Sequence, residues 1–202
     1  HTISSGAGKL ALNVVSGSPT ISVEATRTAT ISAALVGLDG FTKTGTGELV
    51  LSGANTYTGT TVVSAGKLSL AGTSSLPAAG PVSIAAGGIL SNDAAAGTSF
   101  NLGALTMTGG ELAATSTADF SLGNFYLSGD VTVSGTATST ISADVRVISG
   151  QTRDFNVSST GDLSGVDLLV SGKLGHQNGV AWGFATKSGA GTMKLSGVNE
   201  IG

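Results

Sequence analysis

A glycine followed by alternating aliphatic residues recurs along this chain at nearly constant spacing, and that recurrence limits the possible folds more than any other feature. It stands at Gly47, Gly66, Gly88, Gly110, Gly129, Gly150, Gly172 and Gly191, in steps of 19, 22, 22, 19, 21, 22 and 19 residues. Gly8 lies 39 residues before Gly47, two more steps of the same size. Two and four residues after the glycine come Leu10 and Leu12, Leu49 and Leu51, Leu68 and Leu70, Val131 and Val133, and Met193 and Leu195. A period of two is the strand period, so each pair shares one face. Leu112 and Ala114 fit with a smaller residue. Three steps are imperfect: Asn92 follows Leu90, His176 follows Leu174, and after Gly150 the apolar pair slips to Phe155 and Val157.

Steps of about 20 residues are too long for a hairpin meander, which turns every 8–12 residues on Asn-Gly or Asp-Gly dipeptides. Asp39-Gly40 and Asn178-Gly179 are the two such dipeptides, too few for a meander of this length. No segment carries a 3.6-residue period, so crossover helices for a βαβ arrangement are missing. What remains is an all-β fold in which each coil lies on the one before: a parallel β-helix of about 9–10 rungs of 19–22 residues, read as one domain over 1–202. One rung buries four or five aliphatics worth roughly 1.5–3 kcal/mol each. Ordering its backbone costs roughly 1–2 kcal/mol per residue. A rung therefore cannot stand alone, and stability lies in the stack.

Composition agrees. There are 32 Gly and 3 Pro, and 27 Ser with 26 Thr place hydroxyls along the whole chain. Mean hydropathy of +0.34 and a net charge of −3 oppose disorder. The nine basic residues are scattered, so no phosphate-tracking patch exists and no nucleic-acid partner is expected. The absence of cysteine excludes disulfides, thiolate metal sites and cysteine nucleophiles. No apolar run approaches the length of a membrane-spanning helix. The chain opens at His1-Thr2-Ile3 without a signal peptide and reads as an internal segment or mature fragment.

A longer repeat overlies the rungs. Residues 43–55, Lys-Thr-Gly-Thr-Gly-Glu-Leu-Val-Leu-Ser-Gly-Ala-Asn, match residues 187–199, Lys-Ser-Gly-Ala-Gly-Thr-Met-Lys-Leu-Ser-Gly-Val-Asn, at an offset of 144. Gly40-Phe41 matches Gly183-Phe184. The first copy runs on through Thr56-Tyr57-Thr58-Gly59 to Ala65-Gly66-Lys67-Leu68. The spacing of Gly45, Gly47, Leu49, Leu51, Gly53, Asn55, Tyr57, Gly59 and Gly66 resembles the autotransporter-associated β-strand repeat of bacterial passenger domains. The match covers 43–70 in full, and 187–199 is the start of a second copy through Gly189, Gly191, Leu195, Gly197 and Asn199. The resemblance implies a right-handed β-helix displayed outside the cell, and a repeat that assists passenger secretion and folding. It implies no catalytic activity. The membrane barrel that ends such proteins is not in this stretch.

The motif also has a reading of its own. Gly45, Gly47, Gly53 and Gly59 are expected to supply positive φ at corners. Asn55 is placed to satisfy turn carbonyls, with Asn199 repeating it at the same lateral position. Tyr57 is expected at a corner.

Candidate chemistry is sparse. His1 is terminal. His176, in Gly175-His176-Gln177-Asn178, falls on an inward phase, and Gly-His resembles polygalacturonase-like β-helix enzymes, but their paired aspartates and basic clamp are missing. Asp162 and Asp167 are five apart, which places them on opposite faces of a strand. Asp144 with Arg146, and Arg153 with Asp154, read as exposed or turn charges. No calcium nonapeptide, EF-hand or P-loop occurs. Asn156-Val157-Ser158 is a sequon by pattern alone, and Trp182 reads as packing at the lead-in to the second copy. No enzyme, cofactor or metal is expected. The leading function is an extracellular stalk or adhesive segment, with host or matrix glycans or other surface proteins as partners. The alternative is a filament subunit self-associating through open β-helix ends. A carbohydrate-binding or polysaccharide-degrading role ranks third.

Overall fold

The computed structural model describes residues 2–3, 8–12, 18–73, 75–115, 124–176 and 183–199. It is an all-strand solenoid of parallel pairings, with no helix among these residues. Each coil runs along three faces. The first carries β1 (Thr2–Ile3), β4 (Thr28–Ile31), β7 (Glu48–Leu51), β9 (Gly66–Leu70), β11 (Gly88–Asn92), β13 (Glu111–Ala114), β16 (Ser139–Ile141), β19 (Leu168–Val170) and β22 (Met193–Leu195), paired in that order as a nine-stranded sheet. The third carries β3 (Thr20–Ser22), β6 (Phe41–Thr44), β8 (Thr61–Val63), β10 (Gly80–Ala85), the second half of β12 (Phe100–Thr108), β15 (Val131–Val133), β18 (Thr152–Val157) and β21 (Phe184–Ser188).

The second face is less regular. It begins with β2 (Lys9–Ala11) on β5 (Ala34–Val36) and ends with β14 (Phe125–Leu127), β17 (Val145–Val147) and β20 (Leu174–His176). Between these, extended segments without ladder pairing take over, tied by bonds such as Thr56 N to Leu35 O at 2.8 Å. β12 is long enough to serve both faces: its first half pairs β14 and its second half pairs β15. This joins the second and third faces into one eleven-stranded sheet.

Inward residues stack in columns because the ladders are parallel and hold their register, apart from one shift between β10 and β12 at Gly80/Val82. Leu49 pairs Leu68, Leu68 pairs Leu90, and the column continues through Leu112, Ile141 and Val170 to Leu195. All but the last are fully buried. On the third face the column is Phe41, Thr61, Val82, Leu105, Val131 and Phe155. Neighbouring strands lie about 4.8 Å apart, so each aliphatic touches its equivalents above and below as well as the other two faces.

The rung spacing expected from sequence holds only in part. Steps along the first face are 20, 19, 22 and 22 residues from Ala29 through Leu49, Leu68 and Leu90 to Leu112, then 29, 29 and 25 to Leu195. Nine described strands on that face enclose eight steps. Gly129 and Gly150 precede strands of the third face, not the first, and Gly172 follows β19. The cause is that a coil has three corners, each of which can call for glycine, so a glycine before alternating aliphatics does not say which corner it marks.

The motif glycines stand where coil meets coil. A Cβ on Gly59 would lie 1.9 Å from Gly40 N; on Gly47, 2.1 Å from Glu24 O; on Gly53, 2.3 Å from Ala33 O. Positive φ, expected at all four corner glycines, is present at Gly45 (71°) but not at Gly47, Gly53 or Gly59. For those three the requirement is space for the preceding coil's backbone. Gly59→Ala is therefore expected to cost more than a typical substitution, about 3 kcal/mol or above. Gly161→Ala, at φ 71° in open space, should cost about 1–2 kcal/mol from backbone strain alone. Urea midpoints of the two variants check the order.

Candidate functional site

The motif residues assemble one corner and the coil leading from it. Phe41 and Lys43 both point inward from β6, since each alternates with an outward threonine. Phe41 meets Tyr57 edge-on, with centroids 5.6 Å apart at 79°. Tyr57 is 1% exposed, its hydroxyl pairs with Thr61 Oγ1 at 2.6 Å, and burial pushes the phenol above its ordinary pKa. Tyr57 is thus an interior residue of the second face. The Lys43 side chain, also fully buried, turns its ammonium onto three carbonyls: Thr44 O at 2.9 Å, Gly45 O at 2.7 Å and Ala65 O at 3.1 Å. Burial lowers its pKa. It closes the turn of its own coil and fastens it to the next. This role was missed from the sequence, although the inward phase of Lys43, two residues after Phe41, carried the signal.

Asn55 bridges three coils. Its Oδ1 accepts Leu35 N at 2.8 Å from the coil before, and its Nδ2 donates to Ser75 O at 2.7 Å in the coil after. At 5% exposure it stands where a ladder pair would be. In the second copy, Asn199 Oδ1 accepts Leu174 N at 3.2 Å, while its Nδ2 bonds Gly197 O at 2.8 Å within its own coil. Lys187 likewise caps Ser188 O at 3.1 Å and Gly189 O at 2.7 Å. Gly189, Gly191 and Gly197 press on Val157 O, Ser158 O and Gly172 O as their counterparts press on the coil before them. The two copies do not share a column, however. Leu49 stacks through to Leu195, 146 residues on, while its sequence counterpart is Met193. Loop lengths between the copies add two residues to the 144-residue offset, so local bonding repeats and lateral position does not.

The polar residues that break the sequence pattern are structural too. Asn92, 1% exposed in the inward column below Leu70, donates to Thr98 O at 2.9 Å and Asn124 O at 3.1 Å and accepts Ala94 N at 3.1 Å. It anchors the excursion at 93–99. Asp167, 6% exposed, accepts Thr160 Oγ1 at 2.7 Å, Thr160 N at 2.6 Å and Thr192 N at 2.6 Å. These bonds hold its carboxyl below the ordinary carboxylate pKa. Asp162 accepts Ser164 N at 2.8 Å in the loop tip. The two carboxylates do not converge. His176 is half-buried at the end of β20, beside Val147 of the coil before. Among the described residues no group of three or more His, Asp or Glu side chains is placed to hold a metal. His1, Trp182 and the Gln177-Asn178 pair lie outside the described residues.

Arg146 departs from its expected exposed position. It is 1% exposed, with its guanidinium 4.7 Å from the Tyr126 ring centroid on the preceding coil. Arg153 follows expectation more closely, donating to Leu127 O, Thr152 O and Gln151 Oε1, while Asp154 accepts Thr186 Oγ1 at 3.1 Å and Ser188 Oγ at 2.5 Å. On the first face Lys67 lies 2.6 Å from Asp93 and 3.5 Å from Glu48, an ion-pair chain across three coils. Outward positions of the third face carry no charge through Thr42, Val62, Ser83, Thr106, Thr132 and Asn156.

Comparisons with known proteins point the same way. The family model described as the passenger-associated-transport-repeat matches residues 41–70 and 186–200, the segments that hold the two motif corners. The chain is similar to the adhesin BmaC autotransporter of Brucella suis biovar 1 (strain 1330), 33% identical over 186 residues. That alignment covers 91% of this chain and 5% of the relative, so the chain spans a small part of the length of the protein it matches. No solved structure gives a match. With the repeat at both motif corners, that similarity along nearly the whole chain and a parallel solenoid over the described residues, the chain belongs to the autotransporter passengers built on this repeat, proteins placed outside the cell or on its surface.

Proposed function

We propose that this segment is a non-catalytic, adhesive stretch of a surface-displayed passenger, in which the repeat residues hold the scaffold and the outward side chains and loops make contact with host or matrix components. One observation carries the reading. The buried polar side chains of the motif and of the irregular coils (Lys43, Asn55, Asn92 and Asp167) are each committed to backbone groups of their own or neighbouring coils. They are spent on registering the stack, and the chemistry left for a partner lies on the outside. The relative's description as an adhesin supports the same reading.

The test is saturable binding of the purified chain to cultured epithelial monolayers and to matrix-coated surfaces, alongside turnover assays on a polysaccharide panel. Saturable binding without release of sugar is the expected result. Failure to bind either surface would remove the adhesive reading, and catalytic release of reducing ends would remove the non-catalytic one.

The structural role of the motif gives a separate expectation. Asn55→Ala strands Leu35 N and Ser75 O in the interior, a loss of about 2–4 kcal/mol. Asn199→Ala removes one bond between coils at a half-buried position and should cost under about 1.5 kcal/mol. Chemical denaturation gives both values, and cell binding measured below the unfolding transition should be unchanged in each variant.

A further inference from the structure

The corner from the third face to the first is tight in most coils. Two residues separate β8 from β9, β10 from β11, and β12 from β13. Ten residues, 158–167, separate β18 from β19. This excursion is not slack. Asp162 N donates to Thr160 Oγ1, Ser164 N to Asp162 Oδ1, Gly165 N to Asp162 O, and Val166 N to Ser164 Oγ. Its base is locked by Asp167, which takes both the amide and the hydroxyl of Thr160. The longer corner of the preceding coil buttresses it: Thr138 Oγ1 donates to Val166 O at 2.6 Å and lies 3.2 Å from Ser164 Oγ.

At the tip of this braced loop stands Leu163, with relative exposure of 105%, the most exposed large apolar side chain among the described residues. Gly161 and Gly165 on either side have nothing within 4 Å of where a Cβ would be, so the tip stands clear of the body. Leu38, the next most exposed, differs in setting: it lies in the short turn between β5 and β6, and the next coil crosses its carbonyl through Thr58 Oγ1. Loops inserted on one side of a solenoid are where such proteins place their contacts. A loop already ordered by its own hydrogen bonds loses little entropy on docking.

We infer that the loop 158–167 is a preformed docking knob, with Leu163 entering an apolar pocket on a partner protein and Asp162 facing a basic side chain at the pocket rim. The partner is a protein because a bare aliphatic knob matches an apolar pocket. A glycan would call for aromatic platforms and convergent polar groups, and a lipid surface for more than one leucine and for no carboxylate beside it. This rests on the adhesive reading above and deepens it by naming the contact element and the partner class.

The probe is a monolayer of cultured mammalian epithelial cells, with the fluorescently labelled full chain titrated by flow cytometry. Leu163→Ser is expected to weaken binding about tenfold or more, the worth of burying one leucine. Thr138→Val, which leaves Leu163 in place but loosens its brace, should weaken binding a few-fold. Leu38→Ser should bind as the unsubstituted chain does, which separates a specific knob from general stickiness. Protease treatment of the cells should abolish binding, and glycosidase treatment should not. Circular dichroism melts should confirm folding of each variant. If the chain binds saturably and Leu163→Ser binds equally well, the knob is overturned and the adhesive reading stands. If glycosidase rather than protease abolishes binding, the partner class is overturned. If the unsubstituted chain does not bind, both readings fall together.

Discussion

The stack depends on how closely one coil's backbone approaches the next. Paired strands lie about 4.8 Å apart, and at the corners, where the chain changes direction, backbone atoms of one coil press against the Cα atoms of the next. A side chain has no room there. Gly47, Gly53 and Gly59 occupy such contacts in the first copy of the motif, and Gly191 and Gly197 in the second. Other features follow. Once corners stack, strands between them pair in parallel, inward residues align in columns, and leucine lies above leucine from Leu49 to Leu112.

Close stacking raises a second problem, that of polar groups where the ladders stop. Around 54–58 the second face lacks regular pairing, and at each corner carbonyls point away from strand partners. A buried, unpaired backbone group carries a desolvation penalty of about 1–3 kcal/mol. Asn55 answers the first difficulty by joining the coil before it to the coil after. Lys43 answers the second by taking three carbonyls with one ammonium. Burying a charge this way is costly unless all its donors are used, and here three acceptors surround the nitrogen. A segment like 43–61 therefore closes a corner, registers a coil and fills the interior in one stretch. That is a physical reason for such a repeat to be modular and for it to say little about what the outer surface binds.

The architecture also separates scaffold from contact. Interior columns tolerate few changes, while corners of the longer coils extend by several residues without disturbing them, because the strands on either side stay in register. The loop 158–167 shows how far this goes. It leaves the stack, is braced by Thr138 and Asp167, and returns to β19 in line with Ile141. Loop length can vary on such a frame because the cost of closing a longer loop rises slowly with its length.

The sequence alone determined the class of fold and the core. Alternating aliphatics, turn glycines and the lack of helical or hairpin signals lead to stacked parallel coils, and Leu49, Leu51, Leu68, Leu70 and Leu90 are all buried as their phase implies. The repeat at 43–70 was readable because its glycines and Asn55 do the same local work wherever they occur. Three things only the tertiary structure decided. Which of three corners a glycine marks depends on the length of the preceding coil, so Gly129 and Gly150 lead into the third face where Gly47 and Gly66 lead into the first. The displacement of the second copy by two residues accumulates over several loops and leaves no local trace. The burial of Lys43 and Arg146 depends on acceptors and rings that belong to other coils, Ala65 O for one and Tyr126 for the other. Period and phase are properties of a strand and are written in its residues; register between coils is a property of the loops that separate them, and it exists only once the coils are stacked.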